Sequence, residues 1–453
     1  MESTSSELFL QGRRVTRIQV WIIMVCAVVA MVDGFDTQSI ALAAPGIAAE
    51  FHLEAAAFGP VFGIGLFGGL VGAVASGLAG DRYGRKPVLL LSVTLVAAAS
   101  FAIVFADTLF SLGAIRFITG LGLGGALPSI IALTSEYAPA ERKASVVAGM
   151  FCGFPLGAVA GGLASTALIP RFGWQSIFIA GAISPLVLVP LIWATLPESV
   201  QFLARREDKQ PLDRILRRLG IDPRAAASLA PVPRAEKSPL ASLFANGRAL
   251  GTVLLWVTLL LSLLMTYFLT NWLPILASQN GLPVQMGILG AVMLNLGSII
   301  GSIVLGRIAD RRSKWVTITI GYMIGAVAVA AIGQAGQSAA FFLVVTFLAG
   351  FFAIGAQLCT VALCASFYTT AVRATGVGAA MGVSRIGGII GPVLGGLLIA
   401  AGFSVPWTFV VIGVITFAAA VALSAMGIFV LRNAGPSSEE APSGLASQAD
   451  LPA

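Results

Sequence analysis

The sequence predicts an all-α membrane protein of twelve transmembrane helices arranged as two six-helix pseudo-symmetric halves. Three observations carry that reading. First, 57% of the 453 residues are hydrophobic and only 10% are charged. A soluble domain carries about a quarter charged residues, so these polar side chains could not cover a surface in water. Second, apolar runs of about 20 residues, the length that crosses a bilayer, recur twelve times along the chain. Third, a loop motif occurs twice. Gly77-Leu78-Ala79-Gly80-Asp81-Arg82-Tyr83-Gly84-Arg85-Lys86 returns in shortened form as Gly306-Arg307-Ile308-Ala309-Asp310-Arg311-Arg312. The two glycines (77 and 306) and the two aspartates (81 and 310) are both 229 positions apart. A repeat of half the chain in a membrane protein means two similar halves facing each other, the architecture of carriers that rock around a central site.

The elements follow in order. Residues 1–18 form a short cytoplasmic lead. The N-terminal half, 19–196, holds spans starting near Val20, Phe58, Val88, Leu109, Ala144 and Ile177. Residues 197–248 are the one long polar segment, with Pro197, Pro211, Pro223, Pro231, Pro233 and Pro239 among many charges. They read as a cytoplasmic linker carrying short amphipathic helices such as Pro211 to Leu219. The C-terminal half, 249–432, holds spans starting near Leu250, Met286, Val316, Ala339, Ala374 and Phe409. The tail, 433–453, is rich in Ser, Pro, Ala and Glu, a composition that predicts disorder. The repeat reaches beyond the loop. Tyr137, Arg142 and Met150 correspond to Tyr368, Arg373 and Met381, each 231 positions on. Gly161-Gly162-Leu163 and Gly395-Gly396-Leu397 match within spans five and eleven.

Lysine and arginine mark the cytoplasmic side. Of the 27 in the chain, 24 fall in segments on one side, Arg171 alone falls on the other, and Arg116 and Arg385 lie within spans. Both termini are therefore expected in the cytoplasm, and the net charge of +7 reflects this bias rather than affinity for nucleic acid. The first apolar run is too long for a cleavable signal. Cys26, Cys152, Cys359 and Cys364 lie in apolar spans and suggest no disulfide framework. The only histidine, His52, sits at an external helix end. No His-based metal site or triad, no cofactor and no enzyme chemistry is expected.

Charge inside the bilayer costs a few kcal/mol even on lenient scales, so charged residues well inside spans are the best functional candidates. There are four: Asp33, Asp36, Arg116 and Arg385. Asp33 and Asp36, three residues apart, share one face of span one. Two close carboxylates in a low-dielectric medium do not both stay ionised easily, so the pair suits proton uptake and release. A buried arginine stays charged and grips a carboxylate with two parallel hydrogen bonds. A proton carrier beside an anion binder describes a proton–organic anion symporter. The simpler alternative is that these charges only neutralise one another inside the bundle.

The second half adds polar groups with aromatic neighbours as substrate-site candidates: Tyr267, Asn271 and Trp272 in span seven, Asn295 in span eight and Gln357 in span ten. At the cytoplasmic ends, Gly77, Asp81, Gly84, Arg85, Glu136 and Arg142 in the first half, with Asp310 and Arg312 in the second, are expected to form a gate of inter-half charge bridges. Such bridges would close the cytoplasmic side and break when the carrier opens inward. Gly387-x3-Gly391-Pro392-x2-Gly395-Gly396 reads as a bend and close-packing pattern in span eleven.

The Gly-x3-Asp-Arg-x-Gly-Arg-Lys loop after span two resembles the signature of the major facilitator superfamily, and the resemblance covers the whole chain. Asp33-Gly34-Phe35-Asp36 resembles the aromatic acid:proton symporter family within it. So do Arg116-Phe117-x-Thr119-Gly120-x-Gly122-x-Gly124, Glu136-Tyr137-x-Pro139, Met150-Phe151-Cys152-Gly153-Phe154 and Leu196-Pro197-Glu198-Ser199. Thr270-Asn271-Trp272-Leu273-Pro274 and Arg373-Ala374-Thr375-Gly376 are similar to the 4-hydroxybenzoate/protocatechuate carriers of that family. The resemblance implies import of benzoate-type acids with protons across the bacterial inner membrane. It also implies roles for Asp33, Asp36, Arg116, Glu136, Arg385, Asp81 and Gly84. The expected partners are a small aromatic carboxylate, protons and the lipid bilayer, with no obligate protein partner. The rival readings are a proton-coupled carrier of a non-aromatic acid and a drug:proton antiporter. A sensor with a carrier-like fold ranks lower, since neither linker nor tail has room for a signalling domain.

Overall fold

The computed structural model of the protein describes residues 16–139, 142–206, 208–219, 221, 240–245, 247–368 and 372–433. Among them are twelve helices long and apolar enough to cross a membrane, and no strand. Spans one to six are Arg17–Glu50, Ala55–Tyr83, Arg85–Phe105, Leu109–Tyr137, Ser145–Phe172 and Gln175–Thr195. Spans seven to twelve are Ala249–Gln279, Val284–Arg311, Lys314–Ala335, Ala339–Cys364, Thr375–Ala400 and Val405–Val430. The largest departure from the expected starts is at span twelve, which begins at Val405 rather than Phe409. The final tail and most of the linker's proline-rich stretch lie outside the described residues.

Local chemistry sets several helix ends. Thr16 and Gln19 cap the start of span one reciprocally: the Gln19 amide N–H donates to Thr16 Oγ1 at 3.4 Å, and the Thr16 N–H to Gln19 Oε1 at 2.8 Å. Gln19 Nε2 then donates to the Tyr137 carbonyl at 2.9 Å, tying the start of span one to the end of span four. Span two stops at Gly84, whose φ of +106° is a conformation open to glycine at little cost. A Cβ there would also run into the Glu198 carboxylate. Within each half, glycine permits backbone-to-backbone packing of the kind that holds helices together in lipid. A Cβ on Gly157 of span five would overlap the Met31 carbonyl of span one, and one on Gly34 would overlap the Phe154 carbonyl.

The apolar interior is divided in an informative way. One cluster crosses both halves: Ile40, Phe58 and Phe62 from the first half pack with Leu269, Trp272 and Ile288 from the second. It lies at the end of the bundle where span one finishes and span two begins. At the opposite end, which carries the basic residues, each half has a cluster of its own. Ile22, Leu133 and Tyr137 pack in one. Leu259, Tyr322 and Tyr368 pack in the other. The linker helices Val200–Arg205 and Gln210–Arg218 bury Leu203, Ile215 and Leu216 in the first half's cluster. Cross-half seams follow the same division. Gly59 meets Gly396 and Gly63 meets Val393 between spans two and eleven, while Gly162 meets Val292 between spans five and eight. At the basic end, a Cβ added to Gly77, Gly149, Gly378 or Gly382 would meet open space. The molecule is thus sealed at one end and parted at the other.

Gly157→Leu should therefore lower the melting temperature of the purified protein by several degrees or abolish its folded yield, because backbone atoms cannot yield to the new side chain. Gly77→Ala should leave the melting temperature unchanged or slightly raised, since the methyl enters open space and alanine favours the helix.

Candidate functional site

The polar centre of the first half is built by spans one, three and four. Asp36 is fully buried; its Oδ2 accepts from Arg116 Nη1 at 3.1 Å and its Oδ1 from Ser100 Oγ at 2.7 Å. The ion pair has side-chain exposures of only 6% for Arg116 and 1% for Asp36, so it is shielded from screening and its members depend on each other. Asp33, one turn earlier, is differently placed. Its Oδ1 accepts from Thr37 Oγ1 at 3.3 Å, and its side chain lines a small apolar hollow with Val96, Leu123 and Leu188. It lies in the electrostatic field of both Asp36 and Arg385.

Arg385 of span eleven, in the other half, is near enough for its charge to act on Asp33, and Tyr267 of span seven lies in the field of both Arg385 and Asp33. Gly388, one turn beyond Arg385, leaves room for the Tyr267 ring, which a Cβ there would crowd at 2.9 Å. Asn271 is buried and donates to the Tyr267 carbonyl at 2.7 Å. Trp272 is committed to the sealed seam: its indole N–H donates to the Pro392 carbonyl at 2.9 Å and its ring meets Phe62 edge-on at 5.5 Å. Gln357 is 6% exposed and follows a π-helical turn at Gly350–Ile354, a backbone irregularity often found at functional sites. Asn295 bridges the halves by donating to Gln38 Oε1 of span one at 3.0 Å.

Of the residues expected to bridge the halves at the basic end, Asp81, Arg85 and Glu136 bond within the first half and its linker here. Arg85 pairs with Asp81, four residues before it. Glu136 Oε2 accepts from Ser199 Oγ at 2.7 Å and from the Gln201 N–H at 3.3 Å. Among the described residues no ion pair joins Asp310 or Arg312 to the first half. That fits the parted state of this end.

Several contributors carried no role in the sequence reading. Glu198 Oε1 accepts the N–H groups of Arg85 at 2.8 Å and Lys86 at 3.1 Å, so an acid from the linker caps the exposed amides that open span three. Tyr137 Oη donates to the Glu198 carbonyl at 2.8 Å. The signal was the Pro197-Glu198-Ser199 motif, but its partners lie more than 60 residues away. Ser100 and Gln38 are neutral residues within apolar runs, where charge-based reading passes them over.

Twelve spans in two halves, sealed against each other at one end, with buried charges inside the bundle, define the fold of a secondary membrane carrier. The chain belongs to the Major Facilitator Superfamily, whose family model matches residues 26–392 and again 296–450. It is similar to a gallate transporter of Pseudomonas putida, 35% identical over 94% of this chain and 95% of the relative. It is similar also to the 4-hydroxybenzoate transporter PcaK of Pseudomonas putida, 34% identical over 89% of this chain and 91% of the relative. Among solved structures, the inward open form of the xylose transporter XylE from E. coli matches with a TM-score of 0.71 at 16% identity, over 91% of this chain and 96% of that one.

The Asp36–Arg116 geometry makes a stability prediction. Arg116→Ala leaves a buried carboxylate unpaired and should cost about 3–5 kcal/mol. The double variant Asp36→Asn/Arg116→Leu should recover part of that loss. Thermal unfolding of the purified single and double variants measures both.

Proposed function

We propose that this protein imports an aromatic carboxylate together with protons, by alternating access, across the inner membrane of a bacterium. The observation that carries the reading is the placement of Asp33 of one half within electrostatic reach of Arg385 of the other, with Tyr267 in the field of both. It is supported by the gallate and 4-hydroxybenzoate transporters that the chain resembles over most of its length.

In this reading the two aspartates divide their work. Asp36 is held by Arg116 and Ser100 and shapes the site, whereas Asp33, whose only hydrogen-bond partner among the described residues is a neutral hydroxyl, carries the proton. Arg385 is the anion-binding group, because its guanidinium stays charged and offers parallel donors to a carboxylate. Tyr267 and Asn271 flank it. Proton and anion together are electrically neutral, which lowers the cost of turning the loaded site through the membrane. The basic end is taken as cytoplasmic, so the conformation described here faces inward. The Asp81, Arg85, Glu136 and Glu198 cluster then rearranges as the cytoplasmic ends close, with Asp310, Arg312 and Arg142 as prospective partners across the gap.

Uptake of labelled aromatic acids by cells making the protein tests the reading, with collapse of the proton gradient as control. The wild type should accumulate at least one benzoate-type acid, and collapse should abolish accumulation. Asp33→Asn should retain exchange of substrate but lose concentration against a gradient, since an amide does not titrate. Uptake of a non-aromatic acid alone would replace the substrate assignment.

Asp81→Asn should slow transport while leaving equilibrium binding nearly intact. Removing the acceptor for Arg85 shifts the balance between inward- and outward-open forms, and about 1.4 kcal/mol changes that ratio tenfold. Comparing binding with turnover in the purified variant decides it; lost binding with normal turnover would place Asp81 in the substrate site instead.

A further inference from the structure

Gln38 occupies an unusual position in span one. It is 1% exposed and lies at the contact between the halves. Its oxygen is accounted for, because Asn295 Nδ2 donates to Gln38 Oε1 at 3.0 Å. The orientation of the Asn295 amide is itself fixed, since the same nitrogen donates to the Ala291 carbonyl one turn earlier at 2.8 Å. Asn295 therefore presents N–H to Gln38, Gln38 must answer with its oxygen, and its nitrogen points elsewhere. That nitrogen, Nε2, has no partner. Among the described residues it is the only buried side-chain amide nitrogen left without a hydrogen bond. A buried donor with nothing to bond is costly and rarely kept without a use.

Its placement suggests the use. Gln38 lies five residues beyond Asp33, about 7.5 Å further along the helix and turned towards the second half. Asp33 and Asp36 face spans three, four and six, where Ser100, Arg116 and Leu188 surround them. An aromatic acid whose carboxylate is held by Arg385 near the level of Asp33 would extend its ring between the halves. The far side of the ring then comes level with Gln38. The group that an N–H donor recognises there is an acceptor, and on an aromatic acid the fitting acceptor is a ring hydroxyl oxygen.

We infer that Gln38 Nε2, with its amide oriented by Asn295, is the specificity donor for a ring hydroxyl remote from the carboxylate. The inference rests on the transport reading above. Asn295 acts as a positioning residue, holding the amide oxygen so that the N–H groups of Gln38 stay unpaired within the protein.

The test is equilibrium binding of benzoate and 4-hydroxybenzoate to purified wild type and Gln38→Met, which keeps the side-chain length and removes the donor. The expected result is a roughly tenfold loss of affinity for 4-hydroxybenzoate with benzoate binding unchanged. Gln38→Asn keeps the amide but withdraws it by one carbon; it should show the same loss of preference and serves if the methionine variant does not fold. Equal losses for both acids, or no loss for either with slowed exchange across the membrane, would overturn the inference and leave the transport reading standing. Wild-type protein that binds neither acid would overturn both.

Discussion

An ion buried in a hydrocarbon slab must find a counter-charge, and the first half is organised around that requirement. Asp36 and Arg116 come from helices 80 residues apart in sequence, yet their contact is 3.1 Å and nearly closed to solvent. The pair positions span one against span four, and Ser100 adds span three through a 2.7 Å hydrogen bond. One aspartate is thereby satisfied. The other, one turn away on the same helix, is left with a longer hydrogen bond to a hydroxyl and the more distant field of Arg385. Two chemically identical side chains thus acquire different surroundings from their neighbours alone.

The arrangement of apolar packing determines which way the site can open. A single cluster joins the halves at one end, while two separate clusters stabilise each half at the other. Lipid does not drive helices together as water does, so contact between halves depends on close fit and interhelical hydrogen bonds. Both occur at the sealed end: Gly59 against Gly396, and Asn295 bonded to Gln38. The seal thus combines a shared apolar cluster with close glycine contacts and an amide hydrogen bond between the halves. Gly77, Gly378 and Gly382, which face open space here, are the kind of residue such a seal would use.

The sequence made the twelve spans legible because an uninterrupted apolar run of that length is hard to keep in water. It exposed Asp33, Asp36, Arg116 and Arg385 by contrast, since a charge stands out against hydrocarbon. What it hid was pairing. Nothing in the local pattern says that Arg116 meets Asp36 while Arg385 comes in from the other half, because packing of spans distant in sequence decides it. Gln38 and Ser100 escaped because a neutral polar residue in an apolar run is common and cheap. Glu198 was visible only as part of a motif; its task of capping the start of span three depends on the linker folding back beneath the first half.

The two copies of the repeated loop are unequal, and the inequality has a physical origin. In the first copy Gly84 adopts a φ of +106°, which turns the chain and presents the amides of Arg85 and Lys86 to Glu198. The second copy has no glycine after its Asp-Arg pair. There Arg312 is extended with a φ of −128°, and the Ser313 side chain does not cap the start of the next helix. The linker leaves the first half and supplies the acid that secures that half's own loop, so the first copy is braced by Glu198, and among the described residues no acid holds the second in the same way. A carrier built on two equal halves would have no reason to treat its two basic-end loops differently. Here the linker makes the difference, since Glu198 holds the first half's loop without any contact from the second half.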